Sequence, residues 1–488
     1  FNDPPTVIDS GEPCNLAVTQ DCGHGSLVAG IAAGYTTTPQ DNGTPLSGVA
    51  PGASIMSFKL VSLRGGNTEF QLVDLINAID YINTNYATYF TKLAAINMSF
   101  VSLFNAGTPD YYVTRLACSG AHPLFVQSVA AMQARDIAIV AATGNENRTN
   151  DLSFPACMPG VIAVGATTKN DAIWYEPNAL NPTGSNSTAE IDLLAPGAGS
   201  TVDDGIYAGV ISTAGDQTIP GLQSYSDHFA GSCCNKGTSL AAPHVAGAIA
   251  VLKALSPTKT VDAIRNGLIN TGTPIFDPRN NVTKPRINVN LAADTSNPTT
   301  PANVTATGSD SHVYVSWSAS TDDHGIDHYT VFKRSSVTGQ FASVGDTTST
   351  DFLDTTVSAG WMFEYYVVAY DAAWNSSSQS THRYATTVSY TNDPIGNSTL
   401  IYGRHIRELR QAIDAWRRFA NLSRLWVANY TDLTGLIYAN DVSSLVTALN
   451  PARWALGLTT FAYSGVSAPA IGGFIDRKHV QQLRDALK

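Results

Sequence analysis

No stretch of this 488-residue chain approaches the roughly 18 consecutive apolar residues of a membrane helix, and the apolar segment around Val245 to Leu252 is stopped by Lys253. A transmembrane segment is therefore not expected. Basic residues are in short supply: 28 Lys+Arg face 39 Asp+Glu, and a formal charge of −11 repels nucleic acid and anionic membrane. Neither is expected as a main partner. Cysteine is scarce as well. Cys14, Cys22, Cys118, Cys157, Cys233 and Cys234 do not fall into two CxxC pairs and have no histidines around them at metal-ligand spacing, so no structural zinc site is expected. Their even number, with little lysine and much Ser, Thr, Asn and Gly, fits an oxidising, extracellular setting. Six cysteines allow 15 pairings, and sequence alone does not choose among them. The chain opens at Phe1 with neither an initiator Met nor a charged-then-apolar leader, as expected where any signal segment has been removed or was never included.

What is present is globular. An apolar share of 43%, 9% aromatics and 14% charged residues exclude a disordered tail, a coiled coil and a collagen-like chain. At about 150 residues per domain the length implies more than one domain. From 1 to 293, short β-branched runs (Val7-Ile8, Ala95-Ile96, Ile137 to Val140, Val161 to Val164) alternate with helical-period segments such as Phe70 to Ile82 and Val126 to Ala134. That alternation predicts an α/β fold, a doubly wound, mostly parallel sheet covered on both faces. A polar, proline-marked linker is placed at 294–300.

From 301 to 392 the pattern changes to period two, with Val313 to Trp317, His328 to Phe332 and Glu364 to Tyr370 reading as strands of a β-sandwich. Trp317 and the Tyr-rich late strand resemble a fibronectin type III module. From 393 to 488 the chain repeats itself: Ile401, Ile437 and Ile475 lie 36 and 38 residues apart. Each is followed by the same helical spacing, His405-Ile406, Leu409, Ala412, then Asp441-Val442, Leu445, Ala448, then His479-Val480, Leu483, Ala486. Three such units predict a small α-helical repeat domain. Residues 401–488 carry a net charge of +5 and the remainder −16, a charge that suits an acidic partner, although a solvated helix face is the plainer and preferred reading.

Three motifs carry chemistry. Thr6-Val7-Ile8-Asp9-Ser10-Gly11 sets a carboxylate just past a buried strand, where α/β sheets place their sites; an Asp that starts a turn is the plainer reading. Gly23-His24-Gly25-Ser26-Leu27-Val28-Ala29-Gly30 puts a histidine at the mouth of a helix whose small residues allow close packing, and a helix carries few glycines unless something presses on it. The plainer reading is a capping His. Gly237-Thr238-Ser239-Leu240-Ala241-Ala242-Pro243-His244 opens a small-residue helix with Ser239 at its positive end, where an anion forming nearby is stabilised. Ser239 as an ordinary N-cap is the alternative there. His244, on the apolar face, reads as a packed core histidine rather than a base.

Asp, His and Ser in that order, each in glycine-rich context, resemble the subtilisin-like serine proteases over about Thr6 to Ala293. The resemblance implies Ser239 as nucleophile, His24 as general base and then acid, and Asp9 as the group that orients the imidazole. It also implies that Asn145, in Val140-Ala141-Ala142-Thr143-Gly144-Asn145, donates its amide to the oxyanion together with the backbone N–H of Ser239. Ser99, Phe100 and Val101 match the segment whose backbone pairs with an extended peptide, Gly65 belongs to the facing segment, and Gly144 borders the pocket. Val101 stands where the family has Gly, which narrows the primary pocket; Glu146 beside it suits a basic side chain or is simply solvated. Asp9 and His24 are 15 positions apart, against roughly 30 in better-known members, a span the intervening chain still bridges at about 3.3 Å per residue.

Cys118 and Cys157 resemble a disulfide pair of a bacterial subgroup, Cys14 with Cys22 is the next pairing, and Cys233-Cys234 is unassigned. No cofactor is needed for this chemistry, and a structural calcium is left open. The implied function is a secreted serine endopeptidase acting on proteins or peptides, with appended modules that position it on a surface, polymer or partner. The rivals are an inactive protease-like binding protein working through its C-terminal modules, and a hydrolase of esters or a narrow set of peptides.

Overall fold

The computed structural model describes residues 24–34, 47–58, 60–64, 67–70, 72–101, 103–104, 108–109, 111–112, 114–177, 182–198, 236–396, 399–426, 437–469 and 475–487. Between Thr295 and Ser296 the chain divides into two compact units.

Among the described residues the first unit begins with helix α1 (His24–Ala33), a hairpin of β1 (Val61–Arg64) and β2 (Asn67–Phe70), and helix α2 (Leu72–Thr84). Strand β3 (Ala95–Met98) is followed by α3 (Arg115–Ala121), α4 (Pro123–Gln133), β4 (Ala138–Ala142), β5 (Ile162–Thr168) and β6 (Leu193–Ala198). Helices α5 (Thr238–Leu255) and α6 (Val261–Asn270) and the strands β7 (Thr273–Asp277) and β8 (Val282–Arg286) complete it. Six strands form one sheet in the order β7-β8-β6-β5-β4-β3, with every neighbouring pair parallel except β7 and β8.

Alternation along the strands feeds two cores. Ile139, Ala141 and Ala163 share one with Leu75 and Ile79 of α2 and Phe125, Val129 and Met132 of α4. Ala138, Val140, Ala142, Ile162 and Val164 share the other with Ala241, Val245, Ile249 and Leu252 of α5 and Ile264 and Leu268 of α6. Burial on both faces is why these strands read as continuous apolar runs. Helix α5 lies under the sheet; its 18 residues have a mean hydropathy of 1.4, enough by length and composition to cross a membrane, but 61% of it is buried inside the protein, as in a core helix. Counting uninterrupted apolar residues overlooked it because Pro243 and His244 break the run.

The second unit carries two antiparallel sheets. One has three strands in the order β9 (Ala302–Gly308), β10 (Val313–Ser318) and β13 (Asp351–Asp354). The other has four, in the order β12 (Ala342–Thr347), β11 (Ile326–Arg334), β14 (Met362–Asp371) and β15 (Arg383–Thr386). Val313, Val315 and Trp317 from the first share a core with Tyr329, Val331, Tyr365 and Val367 from the second, and the Trp317 and Tyr329 rings lie 5.3 Å apart. Three helices follow, Gly403–Phe419, Ala439–Ala455 and Arg477–Asp485. Each begins alike: the third helical residue, His405, Asp441 or His479, accepts the backbone N–H of Tyr402, Tyr438 or Asp476. Arg417 Nε donates to Ser423 O in its own unit and Nη1 to Ala448 O in the next helix; Arg453 repeats this with Thr459 O and Ala486 O.

Candidate active site

The entry to α5 is held at three successive residues by three different segments. Lys236 Nζ donates to Glu176 Oε1 at 2.7 Å, Gly237 N–H to Gly197 O at 2.7 Å, and Thr238 N–H to Asn145 Oδ1 at 2.9 Å. Gly237 has φ +147°, a conformation that favours glycine, and a Cβ there would stand 3.1 Å from Asn145 Nδ2. Ser239 is thereby placed second in α5, half-buried, in the turn whose N–H groups have no helical acceptor.

Asn145 comes from the other side. Strand β4 ends in Thr143-Gly144-Asn145, and Gly144 turns the chain at φ +104°. Thr238 Oγ links the two segments: it donates to Asn145 Oδ1 at 3.0 Å and accepts Gly144 N–H at 3.1 Å. Two donors on the carboxamide oxygen leave Nδ2 as the donating end of Asn145. Asn186, fully buried, braces the turn from behind. Its Oδ1 accepts the N–H groups of Glu146 and Arg148 at 3.2 and 2.9 Å, and its Nδ2 donates to Thr143 O at 3.0 Å and Glu146 Oε2 at 2.8 Å.

His24 is the first residue of α1 and is exposed. Leu27 and Ile31 pack on Leu240, and a Cβ at Gly247 would come 2.8 Å from Ala32 O. Contacts advance in the same direction along both helices, so α1 and α5 run parallel and their first residues lie toward one end. The small residues of both motifs are what this close approach requires. Ser99, 8% exposed, follows β3 and donates from Oγ to Ser239 O at 2.6 Å; the half-buried Phe100 and Val101 come next. His244 Nδ1 donates to Leu240 O at 2.8 Å, and burial pushes its pKa below the ordinary histidine value, which keeps the ring neutral and fits a packed core histidine. Glu176 is held below the usual carboxylate range, chiefly by the hydrogen bond from Lys236. Cys118 of α3 is bonded to Cys157, with Cα atoms 5.9 Å apart, the pairing that the resemblance implies. Asp9, Gly65, Cys14, Cys22, Cys233 and Cys234 lie outside the described residues.

Sequence reasoning missed Thr238, Asn186 and the Lys236–Glu176 pair. Thr238 sits inside the Gly-Thr-Ser motif and could have been asked what its hydroxyl holds. Nothing in Ser185-Asn186-Ser187 separates a brace from an ordinary polar loop.

A mostly parallel α/β sheet with a serine at the mouth of a buried small-residue helix, and an asparagine amide pinned beside it, defines a subtilisin-like hydrolase domain. Comparison with known proteins agrees. The model of the subtilase family, peptidase S8, matches residues 10–290. Subtilisin DY of Bacillus licheniformis is 32% identical over 271 residues, covering 55% of this chain and 76% of that protein. Subtilisin E of Bacillus subtilis (strain 168) is 29% identical over 257 residues, covering 51% of this chain and 50% of that protein. The major intracellular serine protease of the same strain is 29% identical over 241 residues, covering 49% and 57%. The chain belongs to the subtilase family of serine endopeptidases.

Proposed function

We propose that this chain is a secreted endopeptidase that hydrolyses peptide bonds through an acyl-enzyme intermediate on Ser239. His24 takes the Ser239 Oγ proton as Oγ attacks the scissile carbonyl; Asp9 orients the imidazole and stabilises its cation. Asn145 Nδ2 and the Ser239 N–H receive the oxyanion. Collapse expels the amine, which takes the proton from His24, and water then repeats the sequence to release the acid and restore Ser239. Side chains and backbone suffice, with no cofactor. The observation that carries this reading is the double hydrogen bond from Thr238 to Asn145 Oδ1, which aims the amide as a donor next to the serine at the positive end of α5.

An extended protein or peptide substrate pairs with the backbone of Ser99 to Val101, with Gly65 on the facing side and Gly144 at the pocket. The buried Cys118–Cys157 bond supports secretion, since such bonds persist in oxidising compartments. The three-plus-four antiparallel strands around Trp317 support a fibronectin type III sandwich, and the recurring caps and Arg417/Arg453 bridges support a helical repeat module. Both hold the catalytic domain to a surface, polymer or partner.

A fluorophosphonate probe on the folded full chain tests the reading. Labelling at Ser239 that disappears in Ser239→Ala and His24→Ala is the expected result. No labelling of a chain with a cooperative thermal transition refutes it and moves the function to the C-terminal modules.

A further inference from the structure

Pro243 lies inside α5 and has no backbone N–H. In an α-helix the N–H of residue i serves the carbonyl of residue i−4, so the proline deprives one particular carbonyl of its helical donor, that of Ser239. The vacancy is filled from outside the helix. Ser99 Oγ donates to Ser239 O at 2.6 Å, from 140 positions earlier in the chain. Asn97 Nδ2 in turn donates to Ser99 Oγ at 2.9 Å, occupying a lone pair and leaving the hydroxyl proton for Ser239.

We propose that the Ser99 side chain is a positioning residue for the nucleophile, fixing the Ser239 backbone to the segment along which the substrate lies; the inference rests on the reading of Ser239 given above. One residue then does two things. Its backbone belongs to the substrate-pairing segment, and its side chain holds the attacking residue, so the distance from Oγ to the scissile carbonyl is set through a single short connection. Misplacement of reacting groups by about 1 Å can cost on the order of 100-fold in rate, so such a connection bears on kcat. A serine that only satisfies a buried carbonyl would instead bear on stability alone.

The test compares the full chain with Ser99→Ala, Ser99→Thr, Pro243→Ala and the double variant Ser99→Ala/Pro243→Ala. Three quantities are read: kcat and KM on a chromogenic peptide, the rate of fluorophosphonate labelling at Ser239 per folded molecule, and the thermal midpoint. Ser99→Ala is expected to lose about tenfold in kcat and in labelling rate with KM within about twofold, the size of one lost hydrogen bond. Ser99→Thr keeps the hydroxyl and stays within about threefold of wild type. In the double variant the N–H restored at position 243 satisfies Ser239 O but does not rebuild the tie to the substrate-pairing segment, so labelling stays about tenfold below that of Pro243→Ala. If Ser99→Ala gives no folded protein, Ser99→Cys, a weaker donor, replaces it with the same expectation. A labelling rate unchanged in Ser99→Ala, or a double variant that labels as fast as Pro243→Ala, overturns the inference while leaving Ser239 as nucleophile. A wild-type chain that is folded and unlabelled overturns both.

Discussion

Replacing Thr238 by Val keeps the shape of a fully buried side chain and removes its hydroxyl. Two interactions go at once: the bond from Oγ to Asn145 Oδ1 at 3.0 Å and the acceptor of Gly144 N–H at 3.1 Å. The second loss leaves a buried N–H unsatisfied, which costs about 1–3 kcal/mol in stability. The first leaves the carboxamide held only by Thr238 N–H at 2.9 Å, free to swing about that bond. Complete loss of such an oxyanion donor costs about 10²–10³ in turnover, a value that comes from subtilisin itself and is carried over here. A donor still present but no longer fixed should give up part of that, about tenfold in kcat, with KM within about twofold because the effect is confined to the transition state. Steady-state kinetics on a peptide, beside a thermal melt and the same measurements on Asn145→Ala, separate the two losses. A variant with a lowered melting midpoint and wild-type kcat would refute the idea that Thr238 orients the amide.

Three further outcomes follow from other parts of the molecule. Because Glu176 is held below the usual carboxylate range, its folded form resists protonation more than its unfolded form; the Lys236 pair therefore stabilises above about pH 4.5 and fades as pH falls below it. The pair is partly exposed, so Glu176→Gln should cost no more than about 1 kcal/mol in urea unfolding at pH 7, with the difference shrinking as pH falls below about 4.5. His405 has its pKa lowered to about 4, first by burial and then by Arg484 and Arg404, while the unfolded histidine binds a proton near 6.5. Below pH 6.5 the unfolded chain takes up that proton first, so stability of the second unit should decline from pH 6.5 toward 4, and less so in His405→Asn; parallel urea curves for the two proteins would contradict this. Opening the Cys118–Cys157 bond by Cys118→Ala/Cys157→Ala frees a separation of 39 residues and should cost about 3–4 kcal/mol, read as a lower denaturation midpoint of the first unit.

The layers of the first unit were legible because they rest on local pattern. Ile137 to Val140 and Val161 to Val164 are apolar on consecutive positions, which only a doubly covered sheet accommodates. Ser239 was legible because Gly237 before it and Ala241, Ala242 and Gly247 after it announce a helix pressed close to another. What stayed hidden acts across distance without periodicity. Lys236 and Glu176 are 60 residues apart, Thr238 and Asn145 are 93 apart, and neither partner's neighbourhood announces the other. Pro243 reads as a tolerated irregularity until the carbonyl it starves is found to be that of Ser239. In the helical units the spacing of Ile406, Leu409 and Ala412 gave the buried face, but Tyr402 and Tyr438 are poor N-cap types, so the helix starts could not be read from capping preference.

The bridges from Arg417 to Ala448 O and from Arg453 to Ala486 O join each of the first two helices to its successor, while Arg484 Nη2 to Glu408 Oε2 and Trp416 Nε1 to Leu487 O join the third back to the first. Linkage of that kind closes on itself: each helix touches both others over one core that Ile406, Leu409, Val442, Leu445, Val480 and Leu483 share. A unit inserted between the second and third helices would part Arg484 from Glu408 and leave a buried charge without its partner.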